Sequence, residues 1–133
     1  MSIVVDASVA VKWFSEEIRS KEAETILTAA EPIVAPDIIL AEIGSALARK
    51  TAAKILRKAQ AMAAIAEAPH YFERLVASIE LAPRATELAI EYRHPIYDCF
   101  YLALAEREKV DLVTDDGKLM TVAKRAKVRV KAL

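Results

Sequence analysis

The chain is poor in the residues that make loops and cross-links, with Gly 2, Pro 5 and Cys 1 in 133 residues. So few breakers exclude a loop-dominated fold and point to closely spaced regular elements. A lone cysteine, Cys99, excludes an internal disulfide. Set in an apolar stretch, it reads as a small core residue, which suits a reducing compartment. Charge of neither sign is in surplus, since Lys+Arg and Asp+Glu are both 19, so the overall balance names no partner. No apolar run approaches the ~20 residues of a bilayer-crossing helix. The opening MSIVVDASVAVKWF has an acid at Asp6 and no basic leader, so neither a secretory signal nor a membrane partner is expected. The expected compartment is the cytoplasm. The two histidines, His70 and His94, stand apart, which excludes a zinc-type His/Cys cluster and reads as structural or exposed. There is no Gly-rich phosphate loop and no Ser-His-Asp pattern.

What is present is apolar and periodic. Hydrophobic residues make up 55% of the chain, which excludes disorder. The length predicts one domain, residues 1–133, burying roughly two-thirds of its unfolded surface. Ser2 to Val5 is a β-branched run of the kind found in central parallel strands. It ends at Asp6, and a short helical turn follows over Val9–Phe14. An amphipathic helix is predicted over Ser15–Ala30 and a strand over Pro32–Ala35. Helices are predicted from Pro36–Asp37 to about Lys50, and from about Ala53 to Ala66, as a hairpin. Arg74–Ser78 is a weaker strand and Pro83–Tyr92 a helix, broken by His94-Pro95. Then come a helix over Ile96–Lys109, a strand over Asp111–Thr114, a helix over Leu119–Ala126 and an edge strand at Val128–Val130. Strands alternating with helices predict an α/β fold: a central parallel sheet of four to five strands with helices on both faces. Such sheets place ligands beyond the carboxyl ends of their strands. Asp6 and the pair Asp115-Asp116 both fall on that rim.

Each acid has a plain alternative. Asp6 serves as a helix cap in one reading. Glu42, the one charge between Ile38 and Ala48, sits on a helix rim in another. Asp98, in the first turn of an apolar helix, meets a favourable dipole. Asp115-Asp116 before Gly117 suits a tight turn. All together, two at strand ends and two within apolar helices, suggest a site for something positive. Carboxylates cannot ionise side by side without cations, and an oxygen-only donor set suits Mg²⁺, with Mn²⁺ as a substitute. An acid-lined Mg²⁺ site with basic residues nearby points to phosphodiester hydrolysis. The basic residues form two clusters: Arg49, Lys50, Lys54, Arg57 and Lys58, and the stretch from Lys118 to Lys131. Both are candidates for RNA backbone contact, or are solvated faces. Trp13 and Phe14 read as core or interface rather than as stacking platforms for bases.

Four segments resemble a known family: VVDASVAVKWF, the Glu42 region PDIILAEIGSAL, YDCFYLALAEREKVDLVTDD and the KLM that follows. They are similar to PIN-domain ribonucleases, in particular the VapC toxins of VapBC toxin–antitoxin pairs, over nearly the whole chain. The resemblance implies a PIN-like three-layer α/β/α fold and Mg²⁺-dependent endoribonuclease activity. It also implies inhibition by a cognate VapB-like antitoxin, and a homodimer. Matched by position, the family's acids fall on Asp6, Glu42, Asp98 and Asp116. Asp6, Asp98 and Asp116 are then expected to hold metal, and Glu42 to position or deprotonate the attacking water. Asp115 takes the variable middle place of Thr114-Asp115-Asp116, and either aspartate is open as the fourth acid. Ser8 and Thr114 match the family's supporting hydroxyls. Two rivals stand beside this reading. A receiver-type phosphoacceptor would need a strand-end Asp in mid-chain and a later strand-end Lys, which the sequence lacks. A catalytically silent module of the same fold would bind RNA or a partner only.

Overall fold

A computed structural model describes residues 1–133. Five parallel strands form one sheet in the order β3-β2-β1-β4-β5. They are β1 (Ile3–Val5), β2 (Ile33–Pro36), β3 (Arg74–Val76), β4 (Asp111–Thr114) and β5 (Val130–Ala132). The helices are α1 (Ala7–Ala10), α2 (Ser20–Thr28), α3 (Ile38–Ala52), α4 (Lys58–Glu67), α5 (Ser78–Tyr92), α6 (Ile96–Glu108) and α7 (Gly117–Arg125), with 3-10 turns at Val11–Trp13 and Ala68–Tyr71. The result is a three-layer α/β/α fold. From β1 the chain winds outward through β2 to β3, and then returns to lay β4 on the other side of β1. The order therefore reverses between β1 and β4, the switch point at which such sheets open a crevice.

The local sequence explains the layers. β1 is buried at all three positions, as a strand covered on both faces must be. In α6 every residue from Cys99 to Ala105 is buried. A helix apolar on all sides belongs in the interior, and α6 packs on β1, β2 and β4 as well as on α5. Each fully buried leucine here contributes roughly 1.5–3 kcal/mol by removal from water.

Several boundaries differ from expectation, each for a local reason. The helix expected over Ser15–Ala30 starts only at Ser20, because Arg19 is left-handed (φ 67) and the Ser20 hydroxyl accepts from the Glu17 amide at 2.8 Å. The second hairpin helix begins at Lys58, not Ala53: Lys54 is left-handed, the Ile55 and Leu56 amides fold back on the Lys50 carbonyl, and Gln60 accepts from the Arg57 amide. Pro83 does not open α5 but sits inside it, five residues after Ser78. Its missing N–H leaves the carbonyl of exposed Ile79 to water. The C-terminal strand pairs two residues later than expected, with Leu112 opposite Val130 and Thr114 opposite Ala132. Asp37 does not cap its own helix; its Oδ1 accepts from the Ser78 amide at 3.1 Å and ties the start of α3 to that of α5. No helix is long and apolar enough to cross a membrane.

Candidate functional site

β1 ends at Val5 and hands Asp6 to the rim. β4 ends at Thr114 on the neighbouring strand and hands over Asp115 and Asp116. Asp6 is 5% exposed. Its Oδ1 accepts from the Ser8 hydroxyl at 2.7 Å and the Val9 amide at 3.3 Å, and its Oδ2 from the Thr114 hydroxyl at 2.5 Å. Asp6 is thus the N-cap of α1 and also lies on the rim where the candidate site falls, so the two readings of it do not compete. Thr114, fully buried, also accepts from the Asp116 amide at 3.0 Å. Ser8 accepts from the Asp115 amide at 3.0 Å. These two hydroxyls stitch the ends of β1 and β4 together.

Burial pushes the Asp6 carboxyl up to about 6 from an ordinary 3.8, against the pull of its three donors, and the charge of Asp98 adds to the rise. Burial likewise raises Glu42 and Asp98. Glu42 is lowered by its hydrogen bond from Tyr101 and raised by Asp98; Asp98 is lowered by His94 and raised by Asp116. The acids after β1, on α3 and α6, and after β4 therefore lie within one electrostatic neighbourhood, with Asp98 raising Asp6 and Glu42 and itself raised by Asp116. They are not gathered as a ready-made cluster, since no three acidic, His or Cys side chains stand in a ligating group.

The two aspartates after β4 face different ways. Asp115 pairs with Arg19 Nη1 at 2.9 Å and with the ammonium of Lys12 at 3.4 Å. Asp116 acts on Asp98, and its Oδ1 caps α7 through the amides of Lys118 and Leu119. Glu42 Oε1 accepts the buried Tyr101 hydroxyl at 2.6 Å. Tyr101 lies on α6 one turn beyond Asp98, so the helix that carries one acid also positions another.

Sequence reasoning missed two participants. His94 was read as isolated, yet its Nε2 lies 2.7 Å from Asp98 Oδ2. No helical pattern announced the pair, because His94 lies before Pro95, the N-cap of α6, and reaches Asp98 across the start of that helix. Lys12 was passed over as part of a helical turn, yet it is a buried cation beside the site. The basic C-terminal stretch contributes less than expected, because Arg129 and Lys131 both pair with Asp111 at the start of β4, on the opposite rim. Trp13 and Phe14 pack against Tyr71, Trp13 also packs against Phe72, and the indole N–H of Trp13 donates to the Ala23 carbonyl at 2.9 Å. Cys99 is fully buried.

The donor set fits a hard divalent ion. All candidate ligands are carboxylate oxygens. The second oxygens of Glu42, Asp98 and Asp116 have no protein hydrogen bond and reach solvent, the one buried unpaired side-chain oxygen being Glu17 Oε2. Mg²⁺ takes one or two carboxylates and completes its shell with water, so open, partly committed acids suffice.

Comparison with known proteins bears on the family and the fold. The model of the PIN domain family matches residues 3–125. Ribonuclease VapC3 of Pyrobaculum aerophilum is 30% identical over 121 residues, covering 90% of this chain and 92% of the relative. Among solved structures, Mycobacterium tuberculosis VapC20, described as a sarcin–ricin loop cleaving toxin, superposes with TM-score 0.75 at 19% identity, over 90% of this chain and 94% of that one. VapBC2 from Rickettsia felis, bound to a DNA fragment from its promoter, superposes with TM-score 0.73 at 16% identity, over 100% and 99%. With the family model spanning most of the chain and a VapC relative matched along nearly its whole length, this protein belongs to the PIN-domain family, among its VapC members.

Proposed function

We propose that this chain is the toxin of a VapC-type toxin–antitoxin pair, a Mg²⁺-dependent endoribonuclease that hydrolyses RNA phosphodiester bonds with an activated water. The observation that carries the reading is the delivery of Asp6 and Asp116 by the two strands flanking the sheet's switch point, with Asp98 acting on Asp6 and itself acted on by Asp116. Asp6, Asp98 and Asp116 would hold the ion, for which Mn²⁺ is a substitute. When bound, the ion supplies positive charge that lets these acids ionise together, and Lewis acidity toward water and the phosphodiester. Ser8 and Thr114 fix Asp6 in one orientation. Glu42 is the proton acceptor: Tyr101 holds its Oε1, leaving Oε2 for the attacking water, and burial makes the carboxylate a stronger base than in solution. Asp115 is a structural anchor for Lys12 and Arg19 rather than a ligand. Arg49 and Lys50, on the wall of the cleft that contains Glu42, meet the RNA backbone.

A similar solved structure is a VapBC assembly, which supports a VapB-like antitoxin as partner. Between α3 and α4 runs an apolar groove of about 530 Å³, bounded by Gly44, Leu47, Ala48, Met62 and Ile65. It suits the apolar face of an antitoxin helix. On α5, exposed Ile79 and Ile90 are eleven residues apart, about three helical turns, and so share a face. That stripe supports a homodimer.

The test is cleavage of single-stranded RNA with Mg²⁺, with and without chelator. Asp98→Asn is expected to abolish both cleavage and calorimetric Mg²⁺ binding while the far-UV spectrum and cooperative melting persist. Cleavage by the chelated protein, or by the variant, would discredit the assignment.

A further inference from the structure

Beside the acids lies a polar cleft of about 580 Å³, lined among others by Ser8, Lys12, Glu17, Glu42, Arg49 and Lys50. Ser8 and Glu42 belong to the site described above, and Arg49 and Lys50 to the wall assigned to the RNA backbone; Lys12 and Glu17 are explained by neither. Lys12 is 7% exposed, and a buried ammonium stays charged only with close counter-ions. Asp115 is one of these. The other is Glu17, whose Oε1 lies 3.5 Å from Lys12 Nζ. The opposite oxygen, Oε2, lies 3.0 Å from Lys50 Nζ, but the two are not aligned to bond, and Oε2 is buried without a hydrogen bond. One carboxylate thus bridges two lysines from separate elements, the turn after α1 and the last turns of α3, while one of its oxygens is left poorly satisfied. Arg49 stands next along the same wall, its Nη1 donating to Ser45 Oγ at 2.8 Å.

A bridging anion between two lysines, in the cleft that ends at Glu42, has the charge and position of a nucleic-acid phosphate. We infer that Lys12 and Lys50 form a subsite for an RNA phosphate next to the cleaved bond, and that the Glu17 carboxylate is its resident counter-ion, displaced when the strand binds. The exchange requires no change of fold. The Glu17 backbone is held by Ser20, through the amide-to-hydroxyl bond and the Ser20 amide on the Glu17 carbonyl at 3.1 Å, so only the side chain swings away. Glu17 then weakens RNA binding in the wild-type chain by competing for the cations, and Lys12 keeps Asp115 as partner in either state.

The inference rests on the nuclease reading, and one experiment separates the two. Binding of a labelled single-stranded RNA is followed by fluorescence anisotropy over a series of salt concentrations, with Ca²⁺ in place of Mg²⁺. Glu17→Gln is expected to bind several-fold more tightly. Lys50→Gln is expected to bind more weakly, with a salt slope smaller by about one. Lys12→Gln follows Lys50→Gln; since Lys12 is buried and its loss endangers the fold, the decision rests on the other two variants. Glu16→Gln removes the same charge from the exposed neighbour and is expected to change affinity little. Unchanged affinity in Glu17→Gln or in Lys50→Gln, or an equal gain in Glu16→Gln, overturns the subsite while leaving the nuclease reading in place. A wild-type chain that neither binds nor cleaves RNA fails the nuclease reading itself.

Discussion

Asp6 is pulled in two directions at atomic scale. Three donors favour its carboxylate, yet burial and Asp98 prevail and its pKa rises to about 6. In the unfolded chain the same group titrates near its ordinary 3.8. Between those values the folded state binds the extra proton, so in the metal-free protein the stabilising contribution of neutral Asp6 is complete below about 4 and is lost as pH rises through about 6. The whole effect amounts to about 3 kcal/mol. Asp6→Asn removes the titration. Its melting temperature relative to wild type, measured with chelator, is expected to climb between pH 4 and pH 6.5 and then level; any constant offset from altered hydrogen bonds cancels in that slope. A difference independent of pH would show that Asp6 is ionised throughout. Glu42 offers a second residue-scale test. The Tyr101 hydroxyl lowers the Glu42 pKa, so Tyr101→Phe should raise it and move the acidic limb of the pH–rate profile to higher pH. If cleavage falls equally at every pH, Tyr101 acts through packing and not through Glu42.

At the scale of elements, α6 has two duties that conflict chemically. It must be apolar on every side to sit against three strands, and it must carry Asp98 in its first turn. The conflict is resolved along its length: Asp98 lies at the end that meets the rim, while Cys99 to Ala105 fill the interior. Leu104→Ala, at a fully buried position, is expected to cost about 2–5 kcal/mol in urea unfolding, with any surviving folded protein still binding Mg²⁺. A loss under about 1 kcal/mol would mean that the site can collapse around the gap. That same division made α6 legible in the sequence, because a lone acid among apolar residues is conspicuous. β1 and β4 were legible as short buried runs that stop at acids. The parts that were not legible are those set by single backbone conformations or by contacts distant in sequence. Left-handed Arg19 and Lys54 delayed two helices without a glycine to announce them. The Lys12–Glu17–Lys50 bridge joins residues up to α3 that no local pattern connects. The strand order, which puts Asp6 and Asp116 after neighbouring strand ends, follows from the crossover and not from either segment.

On the scale of the whole molecule, folding itself builds the charge problem. Asp6 and Asp98 are far apart along an unfolded chain and feel one another only once α6 has docked on β1, while Asp98 and Asp116 are brought together as α6 packs on β4. A divalent ion that binds this arrangement and not the unfolded chain must therefore stabilise the fold, by about 2.7 kcal/mol at a hundredfold excess over its Kd. For a chain of this size that is roughly 5–15 °C in Tm. Protons and the ion compete for the same oxygens, so the gain has to depend on pH in the direction opposite to that of the metal-free protein. At pH 7.5 saturating Mg²⁺ is expected to raise Tm by that amount. At pH 4.5, below the raised pKa of about 6 at which Asp6 gives up its proton, the gain should nearly vanish. Asp98→Asn should abolish it at both pH values. Matched ionic strength in NaCl supplies the control, since simple screening of the rim would stabilise with either salt. A Mg²⁺ shift no larger than the NaCl shift, or one of equal size at the two pH values, would show that the acids meeting at the switch point do not form a cation site.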